Sequence, residues 1–236
     1  MKNLFEILKN NSYPGRGIFI GKSNGGKTAV ISYFIMGRSE NSRNRLFVSD
    51  GNGIVIKAAD EAKITDPSLV FYSPVKVAGT KQILTNGIQT DAVYNALKCN
   101  ENFENALQKF TYEPDAPNYT PRISAVADTS GKLKYSIVLI KKSDTSFECE
   151  QNTYTYENTA DGTGHLIHTY IGDGSPLQSF SGNPKEVYIE NTDIDTFSQK
   201  LWTSLNTDNK ISLFVRYIDL INGSTESRII NKNTIN

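Results

Sequence analysis

The chain has 236 residues, 38% of them hydrophobic and 21% charged, as in ordinary soluble globular proteins. Its 25 basic residues balance its 25 acidic ones, which excludes a nucleic-acid binder relying on bulk positive charge and leaves a small local anion pocket open. The apolar runs are too short to cross a bilayer, and Cys99 and Cys149 are too few for a disulfide scaffold and lack metal-ligand spacing, so free thiols in the cytoplasm are the expectation.

Residues 1–9 read as a short amphipathic helix with Leu4, Phe5 and Leu8 on one side, without the apolar core or cleavage signal of a leader. Tyr13-Pro14-Gly15-Arg16-Gly17 is a turn-rich entry to a strand over 18–21. Asn24-Gly25 has hairpin-turn chemistry, and the run 29–36 that follows is a strand apolar on both faces, so it should be covered on both. Further strands are expected at 46–48, 69–72 and 81–85, then a turn at Asn86-Gly87. Thr90 or Asp91 can cap a helix through Ala92, Val93, Ala96 and Leu97, with a break near Asn100 and helical spacing resuming at Phe103, Ala106, Leu107 and Phe110. Three prolines make 113–122 a loop. Strands follow at 123–127, 133–141, 165–171 and 186–190, then a helix from Asp193 carrying Phe197, Leu201, Trp202 and Leu205. A hairpin around Asn222-Gly223 pairs 211–221 with 227–230. Many strands and few helices point to an α+β arrangement of packed sheets with helices outside, and no linker divides the chain.

Between two of these strands lies Gly37-Arg38-Ser39-Glu40-Asn41-Ser42-Arg43-Asn44-Arg45, which contains three arginines and no apolar residue. Composition alone favours a solvated turn. The other reading is an anion site, because guanidinium forks suit phosphate or carboxylate, and asparagine and serine can complete the shell.

Gly21-Lys22-Ser23-Asn24-Gly25-Gly26-Lys27-Thr28 matches the phosphate-binding P-loop pattern letter for letter. A working P-loop must open a helix, whose N-terminal amides hold the phosphate. The β-branched and aromatic residues that follow favour a strand, so a hairpin turn is the better reading. His165 and His168, three apart on a strand, face opposite sides and cannot share one metal. Asn86, Gln89 and Asp91 sit where a strand meets a helix, a place for ligands and for caps alike. Tyr119, Thr120 and Arg122 lie on the proline loop, where a plain turn is the simpler reading.

Four stretches in series resemble the archaeal-type inosine monophosphate (IMP) cyclohydrolase family: Tyr13-Pro14-Gly15-Arg16-Gly17; Tyr33-Phe34-Ile35-Met36-Gly37 running on through the arginine stretch to Arg45; Leu84-Thr85-Asn86-Gly87-Ile88-Gln89-Thr90-Asp91; and Asn118-Tyr119-Thr120-Pro121-Arg122-Ile123. They span about the first half of the chain; the second half is similar more loosely, at Gly164-His165-Leu166-Ile167-His168-Thr169-Tyr170. The resemblance implies one domain over 1–236, a four-layer αββα sandwich like that of N-terminal-nucleophile hydrolases but without self-processing. It implies ring closure of 5-formamidoimidazole-4-carboxamide ribonucleotide to inosine monophosphate with loss of water, in purine biosynthesis. Nothing in that reaction requires a metal or redox cofactor. The expected partner is the nucleotide alone, with no nucleic acid or membrane, and a homo-oligomer is left open.

The resemblance implies phosphate and oxyanion contacts from Arg38, Arg43 and Arg45, supported by Asn41 and Arg16. Arg43 and Arg45 share a face if the segment is extended. Tyr119 and Arg122 are expected at the base or ribose, Thr120 among the substrate-binding residues, Asn86 and Gln89 along the pocket, and Asp91, Glu113 and Tyr119 as proton carriers. Two alternatives stand beside this reading: a non-catalytic purine-nucleotide-binding relative, and a P-loop nucleotide hydrolase that needs magnesium and a helix after Lys27.

Overall fold

A computed structural model describes residues 1–64 and 72–234. The chain runs through β1 (Lys2–Asn3), α1 (Leu4–Lys9), β2 (Arg16–Lys22), β3 (Thr28–Met36), α2 (Glu40–Arg43), β4 (Arg45–Asp50), β5 (Gly53–Ala58), β6 (Val75–Ala78) and β7 (Lys81–Thr85). It continues through α3 (Gln89–Lys98), α4 (Phe103–Leu107), β8 (Arg122–Asp128), β9 (Lys134–Lys142), β10 (Cys149–Tyr156), β11 (Thr163–His168), β12 (Lys185–Tyr188), α5 (Ile194–Ser204), β13 (Lys210–Asp219) and β14 (Thr225–Asn231). These strands form two seven-stranded sheets, ordered β1-β12-β11-β2-β3-β13-β14 and β10-β9-β8-β7-β6-β5-β4.

The two faces of β3 explain the stacking. Ala29, Ile31, Tyr33 and Ile35 point between the sheets, where they meet Phe47, Ile54, Ile123 and Ile137 of the second sheet. Val30, Phe34 and Met36 point the other way and pack under α1 and α5 through Leu4, Leu8, Phe197 and Leu201. On the far side, Ile83, Val126, Val138 and Ile140 of the second sheet are covered by Val93 and Leu97 of α3 and by Phe103 and Leu107 of α4. A strand apolar on both faces is thus buried on both, as its period required. Removing a side chain as buried as Phe34 would cost about 3–5 kcal/mol through lost transfer energy and the cavity left behind.

The turn after β2 is a hairpin. Lys22 pairs with Ala29 across antiparallel β2 and β3, the Ser23 N–H donates to the Thr28 carbonyl at 2.9 Å, and Gly26 N–H donates back to Ser23 at 2.9 Å. No helix opens there, so the loop amides cannot converge on a phosphate in the P-loop manner; the letter pattern was coincidental.

Several sequence expectations are corrected. Neither Thr90 nor Asp91 caps α3: the residue at its N-terminal boundary is Ile88, without a side-chain cap. Thr90 instead donates its hydroxyl to the Gly87 carbonyl at 2.9 Å. Strands β1, β5, β6 and β10 escaped the sequence reading, β1 lying inside the stretch 1–9 expected to be helical throughout. β5 and β6 are short, and the exposed strand β10 lacks an apolar face. The strand expected at 69–72 falls mostly outside the described residues; Tyr72 itself is not in a strand. His165 and His168 do lie on one strand, β11, and find separate partners, Tyr135 and the Tyr170 carbonyl.

Candidate functional site

A cavity of about 760 Å³ opens at one end of the sandwich. Strands β2, β4 and β8 begin there, with Arg16, Arg45 and Arg122, and β3 and β7 end there. Sheet ends carry loops and leave side chains free for ligands, whereas the middle of the sandwich is filled.

One wall comes from the arginine stretch. Ser39 caps α2, its Oγ accepting the Ser42 N–H at 3.2 Å. This single helical turn ends at Asn44 and delivers Arg45 to the start of β4. Arg45 is only 5% exposed; its Nε donates to the Ser42 carbonyl at 2.7 Å and one Nη to the Met36 carbonyl at 3.2 Å. Among the described residues no carboxylate lies within salt-bridge distance of Arg45. Burial lowers its pKa, and the phenol oxygens of Tyr72 and Tyr33 oppose this; an arginine so placed still keeps its charge. A buried cation lining a cavity without a counter-ion is costly unless an anion arrives. Beside it, Asn41 also lines the cavity, and its buried Oδ1 has no partner among the described residues. Arg38 stands at the rim, bonded to Asp173 at 2.5 Å and the Gly174 carbonyl at 2.7 Å, with its guanidinium 5.0 Å from the centre of the Tyr13 ring.

The rest of the charged lining is a paired cluster. Arg16 holds Glu113 bidentately at 2.9 and 3.1 Å and donates to the Asn86 carbonyl at 2.9 Å. Burial works to lower the Arg16 pKa, but the adjacent carboxylate carries it well above the usual range. Arg122 approaches Glu113 at 3.7 Å and donates to Gln89 at 3.1 Å and to the Thr111 carbonyl at 2.8 Å. The proline loop is closed by the Glu113 N–H on the Thr120 carbonyl at 2.9 Å, which sets Glu113, Asp115 and Thr120 together on the cavity wall. Gly15 makes the close approach possible. Its φ is +74°, and a Cβ there would stand 2.3 Å from the Thr169 hydroxyl and 2.6 Å from the Tyr170 ring.

A family model described as IMP cyclohydrolase-like protein matches residues 13–224. The chain belongs to that family. Similar proteins include the IMP cyclohydrolase of Methanopyrus kandleri, 34% identical over 120 residues that cover 49% of this chain and 59% of the relative. That of Methanococcus aeolicus is 30% identical over 118 residues, 48% of this chain and 57% of the relative. That of Haloquadratum walsbyi is 30% identical over 161 residues, 65% of this chain and 76% of the relative. The matched region thus spans less than two thirds of the length of the first two relatives.

Of the expected site residues, the cavity brings together Arg16, Arg38, Asn41, Arg45, Asn86, Glu113, Thr120 and Arg122. Gln89 stands just behind, fully buried, bonded to Asn86 and Arg122. Asn86 is saturated by protein: its Oδ1 accepts the Ile123 N–H at 2.9 Å and its Nδ2 donates to Pro121 at 2.8 Å. Both amides therefore hold the arginines and the loop in place.

Three expectations are corrected. Arg43 is exposed at the end of α2, its Nε on the Gly37 carbonyl at 3.2 Å. The helical turn breaks the two-residue alternation that would have put it on the same face as Arg45. Asp91 lies on the outer surface of α3, paired with Lys76 at 2.5 Å. Tyr119 has a left-handed φ of 46°, and its ring packs edge-on against Tyr112 and Phe147, each 5.7 Å away between centroids, outside the cavity lining.

The sequence reading missed Tyr13, Tyr72, Asp115 and Tyr170, all of which line the cavity. Tyr13 and Asp115 lay inside stretches already singled out for their turns, but nothing in their spacing marked them. Tyr170 and Tyr72 come from distant parts of the chain. Among the described residues, no group of three His, Cys, Asp or Glu stands close enough to hold a metal ion.

Proposed function

We propose that this protein is an IMP cyclohydrolase that closes the ring of 5-formamidoimidazole-4-carboxamide ribonucleotide. The observation that carries the reading is the composition of one cavity lining: the buried Arg45, without a carboxylate partner among the described residues, together with Arg38 and Asn41, and beside them the Arg16–Glu113 pair with Arg122. The first group suits a phosphate, which supplies the anion Arg45 lacks. The second suits a reaction that moves a proton and develops charge on oxygen.

In this reading the carboxamide nitrogen attacks the formyl carbon within the same molecule, so holding the two groups in contact supplies much of the acceleration. As the new C–N bond forms, the formyl C=O becomes an alkoxide, and the Arg122 and Arg16 guanidiniums face it. Glu113 takes the proton from the attacking nitrogen and passes it to the alkoxide, giving a hydroxyl; the formamide nitrogen then gives up its own proton as the ring C=N bond forms, and with that proton the hydroxyl leaves as water. Family membership and the names of the relatives support the same reaction.

The stacking of helices, two sheets and helices underlies our further proposal that the fold is kin to the N-terminal-nucleophile hydrolases, carried as one domain.

Ultraviolet monitoring of ring closure, with purified protein and the formamido nucleotide, tests the function. Turnover above the uncatalysed rate is expected. Tight inosine monophosphate binding without turnover would replace the proposal with a non-catalytic nucleotide-binding role.

A further inference from the structure

We propose that Asp115, with Thr120 and Tyr170, forms a sugar-hydroxyl subsite that makes the cavity select ribonucleotides over deoxyribonucleotides. The inference rests on the nucleotide-binding reading above and deepens it.

All three residues line the cavity. Asp115 is wrapped by its own loop: the Thr120 N–H donates to Asp115 Oδ1 at 2.7 Å and the Thr120 hydroxyl to Oδ2 at 2.5 Å. The Asn118 and Tyr119 N–H groups close on the Asp115 carbonyl at 3.0 and 3.2 Å. The carboxylate is therefore fixed in place. Among the described residues no cation lies within salt-bridge distance of it, in contrast to Glu113, which is taken up by Arg16 and Arg122.

Proton accounting gives the chemistry of the ligand. An ionised carboxylate only accepts, so the Thr120 hydroxyl must spend its proton on Asp115. Thr120 Oγ1 is also hydrogen-bonded to the Tyr170 hydroxyl. With the threonine proton already committed, Tyr170 is the donor in that bond. The chain of protons runs Tyr170 to Thr120 to Asp115, and each is used inside the protein. What remains for the cavity is lone pairs: those of the Asp115 oxygens and of the Tyr170 oxygen. Such a wall needs a ligand that brings donors. It repels a phosphate, which the arginines elsewhere in the lining attract. Two neighbouring hydroxyls on a sugar supply two donors to acceptors a few ångströms apart, and a carboxylate is a common partner for a ribose hydroxyl. The Tyr170 ring is held by stacking on Tyr13, centroids 5.9 Å apart and planes 16° from parallel, so its oxygen is as fixed as the carboxylate.

The experiment is calorimetric binding of inosine monophosphate and its 2′-deoxy and 3′-deoxy analogues to the wild-type protein, Asp115→Asn and Tyr170→Phe. The wild type should prefer the ribonucleotide over at least one deoxy form by roughly tenfold or more, because acceptors that the bound nucleotide covers and leaves without their donor penalise the analogue. Asp115→Asn should weaken the ribonucleotide by a similar factor and leave that deoxy form within about twofold. Tyr170→Phe keeps the stacked ring and removes one acceptor, so it should erode the preference several-fold; it also decides the matter if the asparagine variant does not fold. Equal binding of all three nucleotides by the wild type would overturn the subsite while leaving the nucleotide reading intact. An equal loss for all three in both variants would do the same. A folded wild type that binds none of them would overturn the nucleotide reading itself.

Discussion

Arg16 and Glu113, 97 residues apart in the chain, meet in a two-pronged ion pair at 2.9 and 3.1 Å inside the cavity. The Glu113 side chain is only 8% exposed, so its orientation is set by this pair and by Arg122, and its lone pairs point where the protein directs them. Such a fixed carboxylate suits proton transfer. Glu113→Gln keeps the size of the side chain and removes its basicity. Its kcat should fall by about 10²–10⁴ while inosine monophosphate affinity changes by less than about tenfold. A variant that keeps wild-type kcat would reduce Glu113 to a scaffold for Arg16.

The two neighbouring arginines of the polar stretch should behave differently. Arg45→Lys keeps a charge and loses the fork, and should weaken nucleotide binding by about 2–4 kcal/mol, the range for disturbing a desolvated charge contact. Arg43→Ala, at an exposed site on the Gly37 carbonyl, should stay within about 0.5 kcal/mol of wild type. Binding of inosine, which lacks the phosphate, is the control: Arg45→Lys should barely change it. A nucleotide-specific loss in Arg43→Ala with none in Arg45→Lys would reverse the assignment.

Lys27 sits exposed beside a hairpin turn. Lys27→Ala should leave nucleotide affinity within about 0.5 kcal/mol of wild type, as for other surface changes. A loss of a hundredfold would mean that the turn cradles phosphate after all.

His168 gives a pH dependence of stability with a definite sign. It is fully buried, its Nδ1 2.8 Å from the Tyr170 carbonyl and its Nε2 without a partner among the described residues. Burial pulls its pKa down from 6.5 to about 3. The unfolded chain therefore takes up this proton first. Its contribution to stability is fully present above pH 6.5 and is lost as the pH falls toward 3, at about 1.4 kcal/mol per pH unit. Urea unfolding at pH 7 and pH 5 checks this: the wild type should lose more stability than His168→Gln over that interval. Equal losses would show that His168 does not titrate on unfolding.

The sequence by itself determined much of the frame. The doubly apolar run in β3 required cover on both faces, and the structure supplies it from the second sheet and from α1 and α5. The residues after Lys27 favoured a strand strongly enough to defeat an exact P-loop spelling. The density of arginine between β3 and β4 marked one wall of the cavity. These features are local, since side-chain period and backbone preference act over a few residues.

Only the tertiary structure decided which groups meet. Ser39 capped one helical turn, and that turn sent Arg43 outward and Arg45 inward, a choice that alternation along an extended segment would have got wrong. Asp91 and Tyr119, both plausible by type, are turned away to Lys76 and to an aromatic cluster. Asp115 and Tyr170 share a wall because Thr120 hydrogen-bonds to both across 50 residues of chain. Contacts of that kind depend on how whole sheets pack and where loops close. Local periodicity carries no record of this, because it fixes the face a side chain takes and not the partner it finds there.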